Sequence, residues 1–215
     1  MTPILVIDPH SASYKELAPA AEVLLDGGLV AGPTQSFYAL MALADKPEAL
    51  ERLAELKSGR GREQAFLLLL DQIDRARCYA SAVPDEALPL IEKHWPGLLT
   101  LLLPGMSGLH PLLLGKNRTV GLRVEGLAAV RRLIRMVDRA VTGTSANPHG
   151  APPPVTAAEA AERYDGFLDL IIDGGPTAGG LASTIVDFGG PEPRLIRQGA
   201  IAAELVLTVQ PSVKI

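Results

Sequence analysis

Cysteine is nearly absent from this 215-residue chain: Cys78 stands alone. That excludes an internal disulfide framework and leaves no clustered thiolates for a zinc site. Aromatic residues are scarce, at 4% against 47% hydrophobic residues overall, so the interior is expected to consist of Leu, Val, Ile and Ala. No apolar run reaches the roughly 18 residues that a membrane helix needs. Met1-Thr2-Pro3-Ile4 also lacks the charged start and long apolar stretch of a signal peptide. Positive charge is not in excess either: the net charge of −4 argues against a strongly basic nucleic-acid binder. His10, His94, His110 and His149 are scattered without ligand spacing, so no protein-bound metal is expected. These absences lead to the expectation of a cytoplasmic protein, one domain over residues 1–215, with no membrane partner.

What is present alternates between strand-like and helix-like stretches. Residues 4–7 are a short apolar strand. Over 13–25, Leu17, Ala21, Leu24 and Leu25 fall at helical spacing, and Gly27-Gly28 ends the helix. Residues 29–31 read as a strand leading into a loop at Pro33. The next helix starts near Pro47, with Asp45 expected as its N-cap and Glu48 completing a capping box. Leu50, Leu53 and Leu56 face inward, and Ser58-Gly59 terminates it. Residues 65–70 and 98–103 are continuous apolar runs, as expected of strands covered on both faces. Further strands are expected at 120–124, 140–142, 170–172 and 184–188. Pro152-Pro153-Pro154 reads as a stiff loop opening a helix over 157–163, with Thr156 as N-cap. This order predicts an α/β fold, an open twisted mixed sheet flanked by helices.

Three segments carry chemistry. Pro33-Thr34-Gln35-Ser36-Phe37-Tyr38-Ala39-Leu40 and Thr144-Ser145-Ala146-Asn147 each set small hydroxyl and amide side chains just past a strand. Between them Lys57-Ser58-Gly59-Arg60-Gly61-Arg62 places cations in a Gly-broken loop after a helix. Hydroxyls, an amide and both point and forked cations converging from strand ends suit a phosphate-bearing ligand. Each has a plainer reading. Lys57 in a last helical turn complements the helix dipole, worth roughly 0.3–1 kcal/mol. Tyr38 could pack in the core as readily as touch a ligand. Asn147-Pro148 suits an Asx turn on its own. Ser145 has no histidine partner that would make it a hydrolytic nucleophile, and His149 reads as a loop residue. Arg123, on a buried strand, must pair with a core carboxylate or receive one from a substrate. Asp173-Gly174-Gly175 reads as a turn. Arg131, Arg132, Arg135 and Arg139 crowd one helical stretch, as a solvated exterior or an RNA-facing patch.

Taken together these segments resemble the Sua5/YrdC/YciO family, the threonylcarbamoyl-adenylate synthase superfamily. The family signature of proline, threonine, acid, threonine, aromatic, tyrosine, glycine and leucine corresponds to 33–40. Its Lys-x-Arg and Ser-x-Asn pairs have counterparts in Lys57 with Arg60 and Ser145 with Asn147. Trp95-Pro96-Gly97, Val120-Gly121-Leu122-Arg123-Val124, Asp173-Gly174-Gly175-Pro176-Thr177, Ser183-Thr184-Ile185-Val186-Asp187 and Arg197-Gln198-Gly199-Ala200-Ile201 follow in family order. The resemblance implies an open α/β architecture around a concave cleft, of the YrdC/RibB type. It implies catalytic roles for Lys57 and Arg60, and nucleotide contacts from Arg62, Ser145, Asn147 and Arg197. It assigns threonine contacts to Thr34, Arg123, Thr144 and Ser183.

The same resemblance implies ATP, L-threonine and bicarbonate as substrates, with Mg2+ arriving on ATP and held mainly by its phosphates. The product, threonylcarbamoyl-AMP, would serve modification of tRNA. Two other functions share the cleft: nucleotide or double-stranded RNA binding without catalysis, and hydrolysis of a related adenylate. The chain departs from the signature at four points. Gln35 replaces the acid, Ala39 replaces glycine, and the arginine comes one position late at Arg60. Glu63 or Gln64 stands where a second lysine is expected, which leaves Arg62 as its substitute. The opening Ile4-Leu5-Val6-Ile7-Asp8-Pro9 and the Tyr38-Ala39-Leu40 ending look more like the YciO branch. The stop at Ile215 is expected to leave no room for the extra C-terminal domain of the long Sua5 form.

Overall fold

Short strands whose successive residues are all apolar have two faces to bury. Those at 38–41 and 68–70 are covered on both, while Ile4 and Val6 of the first strand stay exposed. The structure, a computed structural model, describes residues 1–57, 65–148 and 150–215. β1 (Ile4–Val6), β2 (Val30–Pro33), β3 (Tyr38–Met41), β8 (Thr144–Ser145) and β9 (Leu170–Asp173) form a mixed sheet in the order β1-β9-β2-β3-β8. β4 (Leu68–Leu70), β5 (Leu99–Pro104), β6 (Thr119–Val124), β7 (Val141–Thr142), β10 (Thr184–Asp187) and β11 (Arg194–Arg197) form a second, in the order β11-β10-β5-β6-β4-β7. The helices are α1 (Tyr14–Leu25), α2 (Pro47–Leu56), α3 (Leu88–His94), α4 (Ala128–Val137), α5 (Ala157–Tyr164) and α6 (Ala203–Val209). The mixed α/β class expected from the sequence is therefore the class observed, with its strands divided between two sheets rather than gathered in one. No helix among the described residues is long and apolar enough to cross a membrane.

The period-two geometry of a strand sends neighbouring residues to opposite cores. Ala31, Leu40, Leu68, Leu70 and Ile171 join the larger cluster, with Leu50, Leu53, Leu101 and Leu122. Val30, Met41, Leu69 and Ile172 face the other way, against Leu17 and Leu24 of α1 and Val130, Leu133 and Ile134 of α4. At roughly 1.5–3 kcal/mol for each fully buried large aliphatic side chain, these two layers are the main source of stability.

The helix signals are borne out unevenly. Ser13 caps α1 in a capping box with Glu16, and Thr156 caps α5 by accepting from Glu159 N–H. The expected Asp45 cap on α2 is corrected. Pro47 starts the helix directly and holds Lys46 extended before it, so the N-cap is Lys46, without a side-chain bond. Asp45 instead binds Arg139. The arginines of α4 are likewise committed within the chain. Arg131 donates to Glu125 O (2.7 Å) and Gly126 O (2.6 Å), and Arg132 to Ala12 O (2.6 Å). Arg135 lies 3.4 Å from Asp71.

One position decides how the sheets meet. β7 closes the second sheet at Thr142 and β8 joins the first at Thr144, so Gly143 carries the chain across. A Cβ at Gly143 would lie 2.6 Å from Leu69 Cγ and 2.8 Å from Leu69 Cδ2, closer than packed carbons allow. Only glycine fits at the change of sheet.

Candidate functional site

The segment 33–40 is a hairpin. β2 and β3 pair antiparallel with Pro33 opposite Tyr38, and residues 34–37 form the tip. Thr34 N–H donates to Phe37 O (3.0 Å), and the Thr34 hydroxyl donates to the same oxygen (2.7 Å). β8 then pairs with the far side of β3, placing Ser145 opposite Ala39 and Thr144 opposite Leu40. The two segments singled out by their hydroxyls, about a hundred residues apart, are adjacent strands.

Together they line a cleft of about 240 Å3 with residues from the second sheet. Thr34, Ser36, Tyr38, Thr144, Ser145 and Asn147 stand on one wall. Arg123 of β6, Ser183 just before β10 and Arg197 at the end of β11 stand on the other. Lys57, the C-cap of α2, also lines the cleft. The structure thus brings together Thr34, Lys57, Arg123, Thr144, Ser145, Asn147, Ser183 and Arg197. Arg60 and Arg62 lie outside the described residues, as do Ser58, Gly59, Glu63, Gln64 and His149.

Most of the cleft's polar groups are already tied to the fold. Lys57 is buried, and its ammonium donates to Ser145 O (2.8 Å) and Asn147 O, joining α2 to the 145–147 segment. The helix-dipole reading of Lys57 is thereby narrowed: its charge meets carbonyls of another element. Asn147 Nδ2 donates to Pro148 O (3.0 Å) and Ala151 O (2.6 Å). Ser183 Oγ pairs with Thr100 Oγ1 (2.8 Å), while Arg197 Nε and Nη2 both donate to Ser183 O, at 3.1 and 2.9 Å. Tyr38 is fully buried. Its hydroxyl donates to Gly175 O (2.7 Å) and accepts from Gly174 N–H (3.2 Å), and burial pushes the phenol up to about 12. Asp173 Oδ1 accepts from Gly175 N–H (2.9 Å), which closes the expected 173–175 turn.

Two polar atoms stay open. Arg123 Nε and Asn147 Oδ1 are buried without a hydrogen-bond partner among the described residues. A buried donor and a buried acceptor on opposite walls are unfavourable until something bonds them. Charge points the same way. Lys57, Arg123 and Arg197 line the cleft, whereas no aspartate, glutamate or histidine does among the described residues. Arg197 remains solvent-exposed on the rim, yet desolvation of its guanidinium, with Arg123 nearby, lowers its pKa.

Sequence reasoning missed Glu125. Its carboxylate is wholly buried, pairs with Arg123, and accepts from Gln35 N–H (2.9 Å) and Leu127 N–H (3.2 Å). The signal was present as Arg-x-Glu at the end of a strand, a spacing that puts both side chains on one face. Of the two alternatives for Arg123, the core carboxylate exists. The unpartnered Nε is a donor that this carboxylate does not satisfy.

Two mixed sheets meeting at a cationic cleft, lined by hydroxyls and holding a buried unpartnered donor and acceptor, define an α/β protein whose cleft is complementary in charge to an anion. The chain belongs to the Sua5/YciO/YrdC family, whose sequence model, described as "Telomere recombination", matches residues 22–199. It is 33% identical over 215 residues to a threonylcarbamoyl-AMP synthase of Pyrococcus abyssi, covering 100% of this chain and 63% of that relative. The solved structure of P. abyssi Sua5 complexed with L-threonine superposes with a TM-score of 0.92 at 31% identity, over 99% of this chain and 63% of that one. YciO of E. coli superposes with a TM-score of 0.84 at 25% identity, over 93% of this chain and 97% of its own. The chain therefore spans about three fifths of the length of the synthase it matches.

Proposed function

We propose that this chain carries out adenylate transfer of the threonylcarbamoyl-AMP synthase type, from ATP, L-threonine and bicarbonate, in the service of tRNA modification. The observation that carries this reading is the convergence of Lys57, Arg123 and Arg197 with the small polar groups of 34–36 and 144–147 in one cleft. The threonine amine takes up carbon dioxide from bicarbonate to give a carbamate. A carbamate oxygen then attacks the α-phosphorus of ATP, the bond to the bridging oxygen breaks, and pyrophosphate leaves. Such a reaction asks for positioning and for cations where phosphoryl charge develops, more than for a general base. A cleft lined by cations and hydroxyls, with no carboxylate or histidine among its described residues, suits that demand. In this reading Arg123 meets the threonine carboxylate, with Thr34, Thr144 and Ser183 around the amino acid. Ser145, Asn147 and Arg197 meet the nucleotide, and Lys57, with Arg60 and Arg62 following it in sequence, meets the phosphates. Magnesium enters as MgATP, part of the substrate.

A second reading, nucleotide binding without transfer, is favoured by one observation: the Lys57 ammonium is bonded to Ser145 O and Asn147 O. Pyrophosphate release from MgATP and bicarbonate, measured with and without L-threonine, separates the two. Threonine-dependent release, with threonylcarbamoyl-AMP identified by mass spectrometry, is the expected outcome. Binding of ATP with no threonine-dependent release leaves the second reading standing.

A further inference from the structure

Glu125 is the most deeply committed charged group of the cleft region, and it does not line the cleft. Its side chain has no exposed surface, so it cannot touch a ligand directly. Its carboxylate takes Arg123 Nη2 on Oε2, and on Oε1 the backbone N–H groups of Gln35 and Leu127. These partners belong to different parts of the fold. Arg123 is in β6 of the second sheet, Gln35 is at the tip of the β2–β3 hairpin of the first, and Leu127 is the N-cap of α4. One carboxylate therefore spans the two walls of the cleft.

The surroundings make this span rigid. Arg131 holds the carbonyls of Glu125 and Gly126 from α4. The Gln35 side chain lies so close over Gly126 that a Cβ there would come within 2.1 Å of its Oε1. A buried carboxylate serving only as counter-ion could be replaced, together with its arginine, by apolar packing at little loss. The two backbone bonds are what an ion pair alone does not require.

We propose that Glu125 is a positioning residue. It fixes the Arg123 guanidinium by its Nη2, and so sets the orientation in which that guanidinium lines the cleft. It also sets the distance from Arg123 to the 34–37 tip. The direction of this effect on ligands rests on the proposed function, in which Arg123 receives the amino-acid carboxylate.

Two variants and two readouts test it. Glu125→Gln keeps an acceptor for the Gln35 and Leu127 amides but removes the charge from Arg123. Glu125→Asp keeps the charge and shortens the reach to all three partners. Binding of L-threonine and of ATP is measured separately, and amide hydrogen exchange is followed at Gln35 and Leu127. Glu125→Gln is expected to weaken L-threonine binding at least tenfold while ATP binding changes less than threefold, as expected when a positioned group loses its orientation. Glu125→Asp is expected to speed exchange at Gln35 at least tenfold. Unchanged threonine affinity in Glu125→Gln, or an equal loss for threonine and ATP, overturns the proposal. If the unmodified protein binds ATP but no threonine, the proposed function fails instead. Exchange then decides alone, and unchanged protection of Gln35 in Glu125→Asp overturns the tie.

Discussion

The two walls of the cleft are built by different physics. On the hairpin wall, Thr34, Ser36, Thr144 and Ser145 are neutral, and their positions follow from backbone pairing: β2 with β3, and β3 with β8. The Thr34 hydroxyl is spent closing its own turn. On the opposite wall, Arg123 and Arg197 are charged: the Glu125 carboxylate holds the first, and the main-chain carbonyl of Ser183 holds the second. A wall set by main-chain register resists substitution of its side chains. Where the charge of the opposite wall is buried, as at Arg123 and Glu125, that wall depends on both members of the pair, because removing one leaves the other desolvated and alone.

The sharpest way to break this contrast is Arg123→Met. It strands the Glu125 carboxylate in a site with no solvent access, and is expected to destabilise the fold by about 3–5 kcal/mol. Urea denaturation measures this, and a loss below 1 kcal/mol would show that the charged wall does not depend on its pairs. Next comes Tyr38→Phe on the hairpin wall. The hydroxyl lost there bonds Gly174 and Gly175, so about 1–2 kcal/mol is expected to go. Tyr38 also carries a pH signature. Burial holds its phenol at about 12 against an ordinary 10.0, so the folded chain keeps a proton that the unfolded chain sheds. The stability this contributes is whole below about pH 10 and is lost as pH rises toward about 12. Tyr79 and Tyr164 are raised too and remain in the variant, so the decline should be shallower in Tyr38→Phe, not absent. Equal declines in both proteins would remove Tyr38 from the account.

The smallest effect on stability is expected from Arg197→Ala. The residue is exposed and its guanidinium bonds a main-chain carbonyl rather than a buried counter-charge, so denaturation should shift by no more than about 0.5 kcal/mol. ATP affinity should nevertheless fall about tenfold under the proposed function, measured by calorimetry. An unchanged affinity would remove Arg197 from the proposed nucleotide contacts.

Much of this was legible along the chain. The apolar runs at 65–70 and 98–103 announced strands covered on both faces, and β4 and β5 are such strands. Ser13 and Thr156 stand where helices begin, because capping is a local bond over three residues. Asp45 shows the margin of that method: Pro47 moved the helix start by one residue, and the intended cap became half of an ion pair with Arg139. β3 was hidden because its residues 38–41 read as the end of a motif, and nothing local distinguishes the return strand of a hairpin from a loop.

By itself the sequence determined which residue types would form the interior, where α1 and α5 would start, and which polar groups were candidates for an anionic ligand. These depend on neighbours within a few positions, where propensity and periodicity act. Only the tertiary structure decided that 34–38 and 144–147 lie side by side, that Gly143 passes the chain between sheets, and that Glu125 ties Arg123 to Gln35. A strand's period of two tells which face a side chain takes, but not which distant strand will lie beside it. That choice belongs to the packing of two cores at once, and the cleft is what remains between them.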